Sequence, residues 1–237
     1  MIGYAGATPN PSNNHGARRE CDAPDLLVFH YTAMQTAKEA LDRLCSPDHE
    51  VSAHYLISAS GEIFQLVSED RRAWHAGHSC WAGHLDVNSR SVGIELDNNG
   101  SVPFSFPQFR ALVGLCHDIF QRWSMPSWRV VAHSDIAIGR KVDPGPKFDW
   151  SGLAKENIGS WPLQGQAVHH TDEIQFLEDT VLHGYQTTLG LKSVLEAFRL
   201  HFRPKTQGEL DPIDCALARD LADRFPLTRL PKPLNRI

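Results

Sequence analysis

The sequence predicts an α/β protein with a central mixed β-sheet flanked by helices, followed by a small C-terminal three-helix domain. Short apolar runs of the kind that form buried strands recur through the first 155 residues and are interspersed with helical patterns. After residue 161 only helical patterns follow. The 237 residues suit one large domain and one small one. We predict domains at 1–160 and 168–230, with a linker over 161–166.

The N-terminal part of the chain begins with a polar segment. Residues 1–20 are rich in Pro, Asn and Gly and are predicted to be irregular. Leu26–Phe29 is an apolar run that reads as a buried strand ending at His30. Thr36 and Glu39 have the spacing of a capping box, which predicts a helix of about ten residues after Thr36.

The middle of the chain predicts a hairpin, a long loop, a strand and a long helix. Residues 54–58 and 62–67 are strand-like and flank a turn that contains Gly61. Residues 74–90 show no hydrophobic period and are predicted to be a loop. Ser91–Leu96 is predicted to be a strand, and an apolar stripe over 109–123 predicts a helix.

The rest of the chain predicts one more strand, a loop and three helices. Residues 128–132 form a strand pattern that ends at His133, and residues 139–150 form a proline-containing loop. The three helical patterns are marked by apolar stripes at Ile174, Leu177, Val181 and Leu182, then at Leu191, Val194, Leu195, Phe198 and Phe202, and finally at Cys215, Leu217, Leu221 and Phe225 after an Asp211 cap and Pro212.

Composition excludes several classes of function. The net charge is −5 and the pI is about 6.2, so a nucleic-acid partner is not expected. No apolar run is long enough for a membrane span, and Met1–Tyr4 does not begin a signal peptide. A signal that carries a lipid anchor could have been removed. The five cysteines form no CxxC pair, and Cys116 lies on an apolar stripe and is predicted to be core.

Two histidines and an aspartate have the chemistry of a catalytic metal site. His30 and His133 each follow an apolar strand, and strand ends at a sheet edge often carry functional groups. Asp143 comes ten residues after His133. Two imidazoles and one carboxylate make a three-ligand zinc site that keeps a fourth position open. These three residues could therefore hold one zinc ion per chain.

Two further charged residues could act beside such a metal. Asp143 precedes Pro144, which favours an extended backbone, so Lys141 and Asp143 should share one side and Val142 should point to the other. The ammonium could then stabilise an oxyanion. Glu95 interrupts the apolar strand 91–96, where an unpaired charge is costly, and could hold or deprotonate a water molecule.

Other interpretations of these residues remain open at this point. A histidine at a strand end is commonly a hydrogen-bonded boundary residue, Asp before Pro is common in turns, and Glu95 could face solvent on an edge strand. A second cluster of metal-ligand types lies close together, but its spacing fits no common structural zinc pattern: His75, His78, Cys80 and His84. The remaining histidines are predicted to be surface or boundary residues: His49, His117, His169, His170, His183 and His201.

Several strings, taken together and in order, carry a family resemblance. They are VFHYTA (28–33), VSAHYLI (51–57), RAWHAGHSCW (72–81), SVGIEL (91–96), AHSDIA (132–137) and GRKVDPGPKFDW (139–150), with Asn88 between the third and fourth. This part of the chain, about 24–153, resembles the N-acetylmuramoyl-L-alanine amidases of the AmpD/AmiD type. That superfamily also contains the peptidoglycan recognition proteins and phage amidases.

The resemblance implies a fold, an activity and a set of site residues. It implies a mixed sheet flanked by helices and hydrolysis of the amide between the lactyl group of (anhydro-)N-acetylmuramic acid and L-alanine, with peptidoglycan or its muramyl-peptide fragments as partners. The implied roles are zinc ligands at His30, His133 and Asp143, catalysis by Glu95 and Lys141, and lining of the cleft by Trp74, His75 and Asn88. The alternatives are a non-catalytic peptidoglycan-binding module and a zinc amidase that acts on another acyl-peptide.

The C-terminal part carries a second resemblance. The string VLEAFRLHFRP (194–204) is similar to the small peptidoglycan-binding domain, although the three helices could instead only pack against the catalytic domain. A wall-binding domain implies an enzyme of the periplasm or outer membrane of a Gram-negative bacterium. The alternative is a cytoplasmic enzyme of wall recycling.

Overall fold

The computed structural model describes residues 1–163 and 170–227. Its elements are, in chain order, β1 (Thr8–Pro9), β2 (His15–Ala17), β3 (Leu26–Tyr31), α1 (Ala37–Cys45), a 3-10 helix (Pro47–His49), β4 (Tyr55–Ile57), β5 (Ile63–Gln65), β6 (Arg71–Ala73), α2 (Val87–Arg90), β7 (Ser91–Leu96), α3 (Phe106–Trp123), β8 (Val130–Ala132), α4 (His133–Ile136), α5 (Trp150–Lys155), α6 (Glu173–His183), α7 (Gly190–Phe202) and α8 (Pro212–Arg224).

The central sheet is mixed, as the sequence predicts. Its strand order is β1-β5-β4-β7-β3-β8. The strands β4, β7, β3 and β8 run parallel, whereas β5 is antiparallel to β4 and parallel to β1. A separate two-stranded sheet pairs β2 with β6. The two longest strands, β3 and β7, are neighbours in the six-stranded sheet, and their register sets the geometry of the site.

One face of the sheet packs on the long helix α3. Because side chains alternate along a strand, Leu27 and Phe29 of β3 point to this face together with Ile94 of β7, and all three are fully buried. They belong to one apolar cluster with Leu112 and Ile119 of α3. Burial of a large apolar side chain contributes about 2 kcal/mol, so this face supplies much of the stability of the sheet.

The opposite face packs on the C-terminal helices. Val28 and Val131 of the sheet lie in one continuous apolar cluster with Phe176 of α6 and Phe198 of α7. The three helices therefore share a core with the sheet and do not enclose a separate one. Because of the alternation, His30 of β3 points to this same face of the sheet as Val28.

Many of the predicted elements are confirmed. The strands β3 and β7, the hairpin β4–β5, the helix α3 and the three C-terminal helices lie where the sequence predicts them. Thr36 caps α1, with its side chain accepting a hydrogen bond from the Glu39 amide at 3.2 Å. Cys116 is fully buried in the core. The domain bounds stay a prediction, and residues 164–169 and 228–230 lie outside the described part of the chain.

Other predictions are wrong for local reasons. The segment 1–20 contains β1 and β2, which are short and largely exposed and so carry no apolar alternation. The predicted loop 74–90 ends in α2, and the predicted loop 139–150 runs into α5. In α6, Ile174 is 73% exposed, and Phe176 takes the buried position instead.

Two histidines predicted to be surface or boundary residues are buried. His183 is 4% exposed and His201 is 2% exposed, because both face the contact between the helices and the sheet domain. No helix among the residues that the structure describes has the length and apolar character needed to cross a membrane.

Candidate active site

Three predicted ligands meet at one edge of the sheet. His30 lies near the end of β3, His133 is the first residue of α4, and Asp143 lies in a turn after α4. His30 Nδ1 is 3.0 Å from His133 Nδ1, and Asp143 Oδ2 is 3.1 Å and 2.9 Å from these two nitrogens. All three residues are buried. Within residues 1–163 and 170–227, this is the one group of three such side chains close enough to hold a metal ion.

The hydrogen bond of His133 determines which ring nitrogen carries its proton. Nε2 lies 3.1 Å from the carbonyl oxygen of Ala76. Because a carbonyl oxygen only accepts, Nε2 must carry the hydrogen, and Nδ1 keeps its lone pair. Arg140 donates to the same carbonyl at 2.8 Å and also to that of His78, which holds this backbone in place.

A chain of three hydrogen bonds fixes the proton of His30 in the same way. The Ser91 hydroxyl donates to the carbonyl of Val87 at 2.7 Å, so its oxygen accepts from His75 Nε2 at 3.1 Å. His75 Nδ1 is then an acceptor for His30 Nε2, at 3.0 Å. His30 Nδ1 therefore also presents a lone pair.

Burial keeps both of these imidazoles neutral. It lowers the pKa of His30 to about 4, with a further contribution from the neighbouring His133. It also holds the pKa of His75 well below its usual value. The Nδ1 lone pairs of His30 and His133 and the Oδ2 atom of Asp143 thus converge with no hydrogen atom between them. A bound cation satisfies such an arrangement.

The lack of a side chain at Gly93 of β7 leaves room for the ring of His75. A Cβ atom at Gly93 would lie 2.4 Å from the His75 ring, so the ring rests directly on the backbone of β7. Asn88 holds the same loop from behind, because its Oδ1 accepts from the amides of His75 and Ala76 at 3.0 Å and 2.8 Å. Asn88 is buried and does not line the cavity beside the three ligands.

Glu95 is placed beside the ligands by strand register. It pairs with His30 across β3 and β7, and both side chains point to the same face of the sheet. Its Oε2 is buried and has no hydrogen-bond partner among the described residues. Burial raises the pKa of Glu95 to about 8, with a smaller increase from Asp143 and an opposing effect of Lys141.

A cavity of about 400 Å³ opens over these groups. Lys141 is exposed on its wall, and Trp74 is half-buried there. Val142 also lines the cavity and is 55% exposed, and its predicted orientation away from Lys141 and Asp143 stays a prediction. The chain turns at Asp143 and Pro144.

The alternative second metal cluster is not formed. His75 is hydrogen-bonded to His30 and Ser91, and His78 and His84 are exposed. Sequence reasoning missed the roles of Ser91, Gly93 and Arg140. Gly93 could have indicated this packing, since a glycine inside an apolar strand often marks a position where another group lies close to the backbone.

The comparisons with known proteins agree with this geometry. The family model for N-acetylmuramoyl-L-alanine amidase matches residues 20–146. The chain is 38% identical over 231 residues to the N-acetylmuramoyl-L-alanine amidase AmiD of Escherichia coli, covering 84% of this chain and 83% of that one.

The chain belongs to the N-acetylmuramoyl-L-alanine amidase family. It is therefore an enzyme of peptidoglycan amide hydrolysis, and the binding-module alternative is not supported.

Solved structures of family members share the fold over nearly the whole chain. AmiD in complex with the substrate anhydro-N-acetylmuramic acid-L-Ala-D-γ-Glu-L-Lys matches with a TM-score of 0.78 and 37% identity, covering 88% of this chain and 93% of that one. AmpDH3 of Pseudomonas aeruginosa matches with a TM-score of 0.76 and 33% identity, covering 95% and 98%. The 1,6-anhydro-N-acetylmuramyl-L-alanine amidase AmpD of Enterobacter cloacae is 36% identical over 158 residues, which is 60% of this chain and 84% of that one.

Proposed function

We propose that this amidase is zinc-dependent and cleaves the amide between the lactyl group of N-acetylmuramic acid and L-alanine. The observation that carries the proposal is the convergence of three acceptor atoms, from His30, His133 and Asp143, on the face of the sheet where Glu95 Oε2 is buried without a partner among the described residues. This donor set is the one that zinc takes in hydrolases that keep a position open for reaction. Zinc bound there would lower the pKa of water and polarise a carbonyl group.

Proton transfer and charge stabilisation are then the roles of Glu95 and Lys141. Glu95 accepts a proton from the attacking water and passes it to the nitrogen of the leaving L-alanine. Its raised pKa suits both steps, since a group that exchanges a proton works best with a pKa near the working pH. The ammonium of Lys141, on the cavity wall, stabilises the negative charge that develops on the carbonyl oxygen.

The other predicted site residues have different proposed roles. Trp74 provides a half-buried aromatic surface on the cavity wall for the sugar or the peptide. His75 orients a ligand, because it accepts the hydrogen bond of His30. Asn88 supports the loop backbone and is not proposed to contact substrate.

The substrate class follows from the relatives. AmiD was solved with an anhydro-muramyl tripeptide, and AmpDH3 with an anhydromuramic pentapeptide. We therefore propose that this chain cleaves anhydro-muramyl peptides. The C-terminal helices extend it beyond the part that AmpD matches, which supports action on larger wall fragments in the periplasm or at the outer membrane.

The test is a product analysis with two substrates. The zinc-loaded enzyme is incubated with intact peptidoglycan and, separately, with soluble anhydro-muramyl peptides, each with and without a chelator, and products are identified by mass spectrometry. Chelator-sensitive release of free stem peptides from both is expected. Release from the soluble fragments alone would keep the chemistry and contradict the action on wall. Release that is insensitive to metal removal would contradict the zinc centre.

A further inference from the structure

A buried carboxylate links the C-terminal helices to the proposed metal centre. Asp135 lies in α4, two residues after His133, and is completely buried. Its Oδ2 accepts from the Ala132 amide at 2.7 Å and from His201 Nδ1 at 2.7 Å, and its Oδ1 accepts from the Tyr185 hydroxyl at 2.7 Å. Two of these three donors belong to the C-terminal helical part of the chain.

The short helix that Asp135 holds carries one of the three proposed ligands and is hydrogen-bonded to the backbone of a second. His133 is its first residue, and the amide of Ser134 donates to the carbonyl of Asp143 at 3.0 Å. The bond from Asp135 to the Ala132 amide fixes the start of this helix. A rotation of α4 would therefore move His133 and the backbone of Asp143 together, and metal coordination tolerates only small displacements of its ligands.

The surroundings of His201 and Tyr185 hold both side chains in place to donate to Asp135. His201 is 2% exposed, and its ring stacks on Trp150 with 3.7 Å between ring centroids. Its other nitrogen, Nε2, has no partner among the described residues, so its side-chain hydrogen bonding goes to Asp135 alone. Tyr185 is equally buried and packs against Trp81, which holds its hydroxyl toward α4.

We propose that Tyr185 and His201 are positioning residues for the metal centre. Acting through Asp135, they hold α4 so that His133 and Asp143 keep their ligating geometry, and the zinc affinity of the enzyme therefore depends on the C-terminal helices. This role is separate from any wall binding by those helices. It rests on the proposed zinc centre.

The test uses two conservative variants of the full chain. Tyr185→Phe removes one hydroxyl, and His201→Phe keeps a flat ring against Trp150 but removes the donor. Zinc affinity is measured by competition with a chelating dye, at a temperature well below the unfolding midpoint of each protein. We expect zinc binding to weaken about 10-fold in each variant, as is typical when a group that supports a ligand is lost. Activity should recover when zinc is added in excess.

A matched control separates positioning from general destabilisation. Arg219 of α8 donates to Asp179 of α6 at 2.9 Å, and Asp179 is a buried carboxylate with no hydrogen bond to α4 among the described residues. Arg219→Gln therefore weakens the same helical unit and should leave zinc affinity within twofold of wild type.

The outcomes distinguish this inference from the proposed function. Zinc affinity within twofold of wild type in both variants would overturn the positioning role, even if both lower the unfolding midpoint. An equal loss of affinity in Arg219→Gln would also overturn it, since the effect would then be general. A wild-type enzyme that binds no zinc would overturn the proposed metal centre itself.

Discussion

Two glutamates in the sheet domain, one fully buried and one partly buried, have opposite surroundings. Glu69 is fully buried, and its carboxylate accepts from the Tyr55 hydroxyl at 2.5 Å, from Arg122 Nε at 2.9 Å and from Trp123 Nε1 at 2.5 Å. Glu95 has a buried oxygen without a partner among the described residues, and its pKa is raised to about 8. Since a buried charge is costly unless it is paired, the first carboxylate is stabilised by its partners, whereas the second has the surroundings expected of the catalytic group that we propose.

The largest expected effect is on catalysis. Glu95→Gln keeps the size of the side chain but cannot take a proton, so kcat should fall by about 10²–10⁴-fold. Zinc content and the unfolding midpoint should not fall, because Oε2 has no hydrogen bond to lose within the described part of the chain. Steady-state kinetics and metal analysis check this. Near-wild-type turnover with one zinc per chain would contradict the proposed role of Glu95.

The matching change at the other glutamate should affect the fold. Glu69→Gln removes the charge that Arg122 pairs with and should cost about 3 kcal/mol. We expect the lower end of the range for buried pairs because Arg122 is partly exposed and also pairs with Asp118. Denaturant unfolding measures the cost, and kcat of the folded fraction should be unchanged. A loss of kcat equal to that of Glu95→Gln would break the comparison.

Glu95 should also make the stability of the metal-free protein depend on pH. In the metal-free protein, Glu95 has a folded-state pKa of about 8 against an ordinary value of 4.5, so the folded state binds this proton more tightly than the unfolded state. Glu95 therefore destabilises the fold increasingly as pH rises from about 4.5 to about 8, by a few kcal/mol at most. Thermal unfolding should show Glu95→Gln gaining on wild type across this window, and a constant difference would contradict the raised pKa.

The smallest expected effect concerns the histidine that supports His30. His75→Phe keeps the ring over Gly93 but removes the nitrogen that accepts from His30 Nε2. Zinc should bind about 10-fold more weakly, while kcat at saturating zinc should change less than in Glu95→Gln. Isothermal titration with zinc measures this. Affinity equal to that of wild type would mean that the hydrogen bond does not orient His30.

The sequence was informative wherever a pattern is local. The apolar runs before His30 and within 91–96 predict β3 and β7, and the stripe over 109–123 predicts α3, because each pattern follows the period of its own element. The ligand types and the family motifs named the three residues that the structure brings together.

Features that depend on long-range contacts could not be predicted from the sequence. The pairing of His30 with Glu95 depends on the register of two strands more than 60 residues apart. The support of His30 by His75 depends on a loop folding onto the backbone of Gly93. The bond between Asp135 and His201 joins two parts that the sequence predicts as separate domains, and for this reason the sequence predicts His201 only as a surface or boundary residue.

The packing of His75 on Gly93 has a consequence for how this enzyme can vary. Replacing Gly93 by alanine adds one methyl group, the smallest side chain available, and it would displace the imidazole that supports the proposed ligand His30. A survey of random variants would then find position 93 as intolerant as the residues that react with substrate. Intolerance to substitution in this enzyme therefore identifies positions that have no space for a larger side chain as well as positions that take part in the reaction.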